Sequence, residues 1–230
     1  MEIITTIDFD TASALSGHVK SALVEAAFRD IDRSRGIYTI DGMSGARYRR
    51  FINALVRRLA DPSYLEVGSW MGSTLCSAIE GNAVRALAID NWSQFGGPKD
   101  AFLANVARFC PPTADVRFIE GDFRMVSFAG LAAAMPPFNI YLFDGPHEEA
   151  DQYDGLVAAL PALAREFVFI CDDWNWQPVR RGAHRAIVDA GLDIQFGAEI
   201  RTSLDDSHGE PAGKASDWHN GYFLSVLRRP

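Results

Sequence analysis

The chain has 230 residues, 48% of them hydrophobic, which is enough to bury one large core in one domain. A net charge of −8 with no dense run of Lys or Arg excludes nucleic acid as the natural partner. The opening "MEIITTIDFDTASA" is acidic where a signal segment is basic, and no apolar run nears the roughly 20 residues that span a bilayer, so a cytoplasmic protein away from membranes is expected.

In chain order, Thr11 to Asp32 reads as an amphipathic helix, with Leu15, Val19, Leu23, Ala26 and Ala27 at helical spacing before the "RSRG" stop. Such a helix could also serve a homodimer. A second helix is expected over Arg47 to Leu59, ended by "ADPS". Short β-rich runs follow at Tyr64–Val67, Ala86–Ile89, Val116–Ile119, Ile140–Phe143 and Phe167–Cys171. Helical patterns alternate with them near Thr74–Ile79, Ala101–Phe109, Phe128–Met135 and Tyr153–Leu163. That alternation predicts an α/β, doubly wound sheet, mainly parallel, with both faces covered. "LDIQFGAEIRT" and "GYFLSVLRR" read as an antiparallel pair closing the sheet's edge. A single domain over 1–230 is expected, with N-terminal helices over 1–60 capping a core over 61–230. Cys76, Cys110 and Cys171 are widely spaced and suit a reducing compartment as buried small hydrophobes.

Ligands of such sheets sit beyond the carboxyl ends of the strands, where the strand order reverses. "YLEVGSWMGSTLCSAI" lies at the first such end, where Gly68 and Gly72 let the backbone turn tightly beside a ligand. A dinucleotide site would want G-x-G-x-x-G, but Glu66 stands where the first glycine should be. A carboxylate there repels pyrophosphate and suits a positive amino group. Asp90 closes the next strand at the place from which a carboxylate takes ribose hydroxyls. A ribose with a cationic, phosphate-free tail describes S-adenosylmethionine.

"LEVGSWMGST", "ALAIDNW", "IEGDF" and "IYLFDGPH" together resemble the successive motifs of class I S-adenosylmethionine-dependent methyltransferases, from Tyr64 onward. The resemblance implies a seven-stranded Rossmann-like methyltransferase fold. It implies that Glu66, Gly68 and Gly72, with Ser69 and Ser73 of the same turn, contact the methionine part. It assigns Asp90 and Asn91 to the ribose, Asp122 and Phe123 to the adenine, and places Asp144 against the cofactor. For Asp122 the alternative is a plain helix cap.

A second constellation joins "LFDGPH" to "FICDDWNW". Asp144 and Asp172 end neighbouring strands with Asp173 beside them, and three carboxylates in one cleft favour a shared hard cation, Mg²⁺ first. The alternative is that Asp172 and Asp173 point to opposite faces, as successive strand residues do. The arrangement resembles the divalent-metal-dependent O-methyltransferases of the catechol and macrocin types, which implies Asp144, Asp172 and Asp173 as metal ligands and His147 as the base. Asp173 and His147 depart from the Asn and Lys of the catechol pattern, and the Asp-Asp pair leans toward the macrocin type.

Trp92, Trp174, Trp176 and Trp218 flank strand ends, where they either wall a pocket or fill the core. Arg201 to Asn220 is long for a loop and should overhang the carboxyl edge, with His208 and His219 as further metal-ligand candidates. His184 is expected on a helix without a role, and Arg180 and Arg181 either pair with the acidic edge or face water. The expected activity is methyl transfer from S-adenosylmethionine to a hydroxyl of a small molecule, assisted by a divalent cation, with Asp144 and His147 catalytic. The rivals are a metal-independent methyltransferase, a cephalosporin-hydroxylase-like relative, and a non-catalytic module that binds the cofactor.

Overall fold

A computed structural model describes residues 3–8 and 13–230. In chain order the elements are β1 (Ile3–Asp8), α1 (Ala14–Phe28), α2 (Ala46–Arg58), β2 (Ser63–Val67), α3 (Ser73–Ile79), β3 (Arg85–Asp90), α4 (Lys99–Phe109) and β4 (Asp115–Glu120). There follow α5 (Phe128–Ala134), β5 (Phe138–Phe143), α6 (Glu149–Ala159), β6 (Leu163–Cys171), α7 (Gln177–Asp189), β7 (Asp193–Arg201) and β8 (Tyr222–Arg228). The described strands form one sheet in the order β1-β7-β8-β6-β5-β2-β3-β4. β2 to β6 run parallel, and β8 is antiparallel to both β6 and β7.

The period of two along each strand sorts the core into two layers. Tyr64, Ala86, Ala88, Ile140, Leu142, Val168 and Ile170 face α1, α2 and α3. Their neighbours Leu65, Val67, Leu87, Ile89, Tyr141, Phe143 and Phe169 face α6 and α7. Burial on both faces explains why these strands read as apolar runs. The edge strand β4 is mostly exposed, and its Arg117 and Asp115 pair at 3.0 Å, a charged edge of the kind that discourages pairing with another chain.

The structure differs from expectation in several places. The sheet has eight strands, because "IITTID" adds β1 antiparallel to β7. The β7–β8 pair is therefore covered on that side, and the first 60 residues contribute a strand as well as helices. An edge strand with one neighbour and exposed threonines carries little alternation. The first helix is α1, shorter than Thr11 to Asp32; Thr11 lies outside the described residues. The helix expected to reach Leu163 stops at Ala159, since Pro161 sits in a 3₁₀ turn and Leu163 already pairs with Phe138. Cys110 is half-buried, whereas Cys76 and Cys171 are buried, and all three are free thiols. No helix among the described residues is long and apolar enough to cross a membrane.

The sheet's lower layer depends on the close crossing of α6 and α7. An added Cβ at Gly182 of α7 would lie 2.2 Å from the carbonyl oxygen of Glu149. Helix propensity alone would make Gly182→Ala stabilising by about 1 kcal/mol. Because the obstruction is backbone, the substitution should instead destabilise by roughly 2–3 kcal/mol. Urea unfolding gives the sign directly.

Candidate functional site

Strand order reverses between β2 and β5. β2 leads toward β3 and β4 on one side, while β5 leads toward β6 on the other. The two loops that leave this switch point touch: the Asp144 amide donates to the Val67 carbonyl at 2.9 Å. Gly68, at φ +85°, comes so close that a Cβ would fall 1.8 Å from the Asp144 carbonyl oxygen. The glycine turn and the acidic loop therefore open into one cleft of about 520 Å³, within the usual range for a small-molecule site.

The turn is held by two carboxylates. Glu66 shares a strand face with Tyr64, two residues away, and accepts from the Tyr64 hydroxyl and the Ser69 hydroxyl, each at 2.6 Å. It is fully buried behind the cleft wall, and burial pushes its carboxyl up to about 7 against the pull of Ser69, Tyr64 and Thr74. Asp90 accepts from the amides of Ser69 (2.7 Å) and Trp70 (2.8 Å) through one oxygen and from Trp92 (2.6 Å) through the other. Of about four lone-pair positions on a carboxylate, three are thus taken by backbone. Asp90 faces the cleft and also clamps the turn to the end of β3. Gly68, Ser69, Ser73, Asn91, Asp122 and Phe123 all line the cleft. Gly72 stands behind, at φ +80°, as the residue before α3. Asn91 braces Ser93, and Asp122 caps the following 3₁₀ turn, accepting from the Arg124 amide at 2.9 Å. Phe123 packs edge-on against Phe143 at 5.2 Å.

The acidic floor lies at the ends of β5 and β6. β6 ends at Cys171, and Asp173 takes a left-handed φ of +55°, so the strand alternation that would separate Asp172 from Asp173 is broken and both line the cleft with Asp144. His147 Nε2 lies 2.7 Å from Asp173 Oδ2, and the other Asp173 oxygen accepts from Asn220 at 2.7 Å. Burial works to raise the Asp173 carboxyl, yet these bonds hold it below the ordinary carboxylate value. Burial works to lower His147, but Asp173 first and then Asp144 and Asp151 outweigh it and raise the imidazole. Asp144 is raised to about 7 by burial and by the charge of Asp173. Asp172 is raised well above its usual range by burial and by Asp144, its hydrogen-bonded neighbour.

Ligand atoms of Asp144, His147 and Asp173 lie within 4.8 Å of one another, so these three side chains could hold a cation. Asp172, also expected as a ligand, lines the same cleft with its carboxyl turned to Asp144 and to the Asp173 amide (2.7 Å).

The remaining wall comes from the strand-end tryptophans and the long loop expected to overhang the carboxyl edge, with Asn220, Met43 and Ser44 added to them. Trp176 stands edge-on between His147 at 4.7 Å and His208 at 5.1 Å. The segment after β7 reaches over the carboxyl edge and contributes His208, His219 and Asn220. His219 Nδ1 accepts from the Gly213 amide at 3.0 Å, and burial lowers its pKa, so it serves the loop and lies outside the cation group. Trp92 lines the cleft, whereas Trp174 and Trp218 are core. His184, on α7, packs against Trp174 and Phe223. Arg180 bonds the Trp174 carbonyl and pairs with Asp206, and Arg181 pairs with Glu149. Met43 and Ser44 reach the cleft from the residues before α2; the glycine-flanked "GMSG" was their only signal.

Residues 65–174 match the family model described as a methyltransferase domain, a stretch from β2 to just past β6. No curated protein matches the chain significantly. Among solved structures, the fold is similar to the O-methyltransferase TomG of Streptomyces achromogenes, involved in tomaymycin synthesis and solved with S-adenosylmethionine, at 13% identity and a TM-score of 0.57, covering 96% of this chain and 92% of that one. It is also similar to an O-methyltransferase of Bacillus cereus solved with S-adenosylhomocysteine (14%, TM-score 0.50, 96% and 93% covered). A third is the S-adenosylhomocysteine-bound methyltransferase PaMTH1 of Podospora anserina (12%, TM-score 0.53, 93% and 88% covered). At these identities the likeness is one of fold.

The buried acids set the pH dependence of stability. Glu66, Asp144, Asp172 and His147 all have folded pKa values above their ordinary ones. Each contributes most below its ordinary value and loses that contribution as pH rises through the raised one. In EDTA the melting temperature should therefore climb as pH is lowered from 8 to 5. Asp172→Asn should flatten the climb, and thermal scans across that window read both.

Proposed function

We propose that the protein transfers the methyl group of S-adenosylmethionine to a hydroxyl of a small molecule. The observation that carries this reading is the juxtaposition at the switch point: a glycine turn clamped by Asp90 opens into the same cleft as the carboxylate and imidazole pair of Asp173 and His147. The family match over residues 65–174 supports it, as do structural neighbours crystallised with S-adenosylmethionine or S-adenosylhomocysteine.

In the reaction the acceptor oxygen attacks the methyl carbon, the carbon–sulfur bond breaks, and the sulfonium becomes a neutral thioether. The acceptor's proton must leave as its oxygen bonds carbon. His147 is suited to take it, because Asp173 fixes its Nε2 edge while Asn220 fixes Asp173. To act as base the imidazole must be neutral, and its raised pKa moves that condition to higher pH than for an ordinary histidine. Trp176 sets the ring plane from the side. Loss of charge at sulfur favours a dry site, and the loop over the carboxyl edge narrows the opening.

The convergence of Asp144, His147 and Asp173 favours a second arrangement, in which these residues hold a divalent cation. When bound, such an ion supplies Lewis-acid lowering of the acceptor hydroxyl's pKa. His147 is then a ligand rather than the base. The hydroxylase-like and cofactor-sensing alternatives share the cleft and differ in turnover.

Calorimetry should detect S-adenosylhomocysteine and no NAD, with Asp90→Ala weakening the former about tenfold or more because it also frees the turn. NAD binding alone would overturn the proposal. Methyl transfer to a panel of phenols, catechols and sugar hydroxyls should show an acidic limb with its midpoint above the ordinary histidine value of about 6.5. His147→Gln should abolish that limb and lower kcat by 10²-fold or more while cofactor affinity holds. Full turnover after EDTA and dialysis excludes the cation arrangement and leaves His147 as base.

A further inference from the structure

Arg49, in the first turn of α2, is fully buried. Its Nε donates to the Ser44 carbonyl at 3.2 Å and to the Ser44 hydroxyl at 3.0 Å. Its Nη1 donates to the carbonyls of Ile37 and Ile40 at 2.7 and 2.9 Å. Its Nη2 is buried and has no hydrogen-bond partner. No carboxylate forms an ion pair with it among the described residues, and Asp41, which acts on it from a distance, is exposed and paired with Lys214. Burial lowers its pKa to about 10, so it remains a cation at neutral pH. An uncompensated charge at this depth is costly, and an anion placed nearby would recover that cost.

The path from Arg49 to the cleft is short. The Ser44 and Ser73 hydroxyls are 2.8 Å apart, and both residues line the cleft. A Cβ added to Gly42 would lie 2.3 Å from Ser73 Oγ and 3.1 Å from Arg49 Nη2, so the free Nη2 and the Ser73 hydroxyl both lie against the bare face of this glycine. Whichever serine donates in the shared bond, the other keeps one hydroxyl proton. The pair thus offers a donor backed by a buried cation, at the end of the cleft where the glycine turn meets α3.

We propose that Arg49 is a positioning residue for a carboxylate bound at Ser44 and Ser73, and that this carboxylate is the α-carboxylate of the cofactor's methionine part. The proposal rests on the methyltransferase reading. Of the groups on S-adenosylmethionine only the α-carboxylate is an anion. Seating it here leaves the sulfonium free to lie over the acidic floor of Asp144, so the cleft offers each charge of the ligand a partner of opposite sign. Arg49 acts through the serines without touching the ligand.

The test compares S-adenosylmethionine with decarboxylated S-adenosylmethionine, which keeps the sulfonium and the amine and lacks only the carboxylate. By calorimetry the wild type should prefer the carboxylate-bearing ligand by about tenfold or more. Ser44→Ala and Arg49→Met should bring the two affinities within about threefold, with the decarboxylated ligand bound as in the wild type, and Arg49→Lys should restore part of the preference. A wild type without preference overturns the proposal. So does equal weakening of both ligands in Arg49→Met, which is what a merely structural arginine predicts. If Arg49→Met does not fold, an unchanged preference in Ser44→Ala overturns it instead. Failure of the wild type to bind either ligand would bring down the methyltransferase reading itself, which is distinct from binding both equally.

Discussion

The site depends on one close approach, the passage of the Gly68 backbone against the carbonyl of Asp144. Parallel strands β2 and β5 are hydrogen-bonded neighbours from Tyr64 and Ile140 to Val67 and Phe143, and both chains leave the sheet there in the same layer. Only a residue without a side chain, able to take a left-handed φ, lets the two loops meet without parting the strands. Everything chemical follows from that contact. It brings the glycine turn and the acidic loop into one cleft, and it sets Asp144 beside Asp172 at the carboxyl end of β6.

Around this contact the molecule spends its carboxylates in two ways. Glu66 and Asp90 are acceptors for the turn itself, with tyrosyl and seryl hydroxyls on one and three amides on the other. Asp144, Asp172 and Asp173 are crowded enough that their ionisation is shared, with His147 and Asn220 stabilising the charge on Asp173 alone. A positive group is bound most strongly where negative charge is concentrated and poorly solvated, and the floor fits that description. Elsewhere in the lining, Ser44 and Ser73 stand in front of the buried Arg49 cation, which carries the opposite sign.

The parallel half of the fold was legible because its strands are buried on both faces and separated by helix-period segments. Tyr64–Val67 and Ala86–Ile89 match β2 and β3 to within a residue at either end. β1 was not legible, since Thr5 and Thr6 are exposed on an edge and give no apolar signal. The site was legible where backbone geometry demands a residue type, as at Gly68 and Gly72, or where a strand end carries an acid. It was not legible where partners come from distant segments. Asn220 bonds Asp173 across 47 positions, and Ser44 reaches Ser73 across 29. No local period announces such pairs. The left-handed backbone at Asp173, which carries Asp172 and Asp173 into one cleft, was likewise invisible to a strand's alternating period.

The position of β8 has a consequence for how the molecule is made. It lies between β6 and β7, so a strand that follows both in the chain fills a gap in the middle of that half of the sheet. Until residues 222–228 have emerged, β6 presents an unpaired edge of Val, Phe and Ile, and Asp173 lacks its brace from Asn220. A growing chain can complete the β2–β3–β4 and β5–β6 pairings early, but it carries an open, sticky flank until β8 arrives. Sheet closure and completion of the acidic floor are thus one late event.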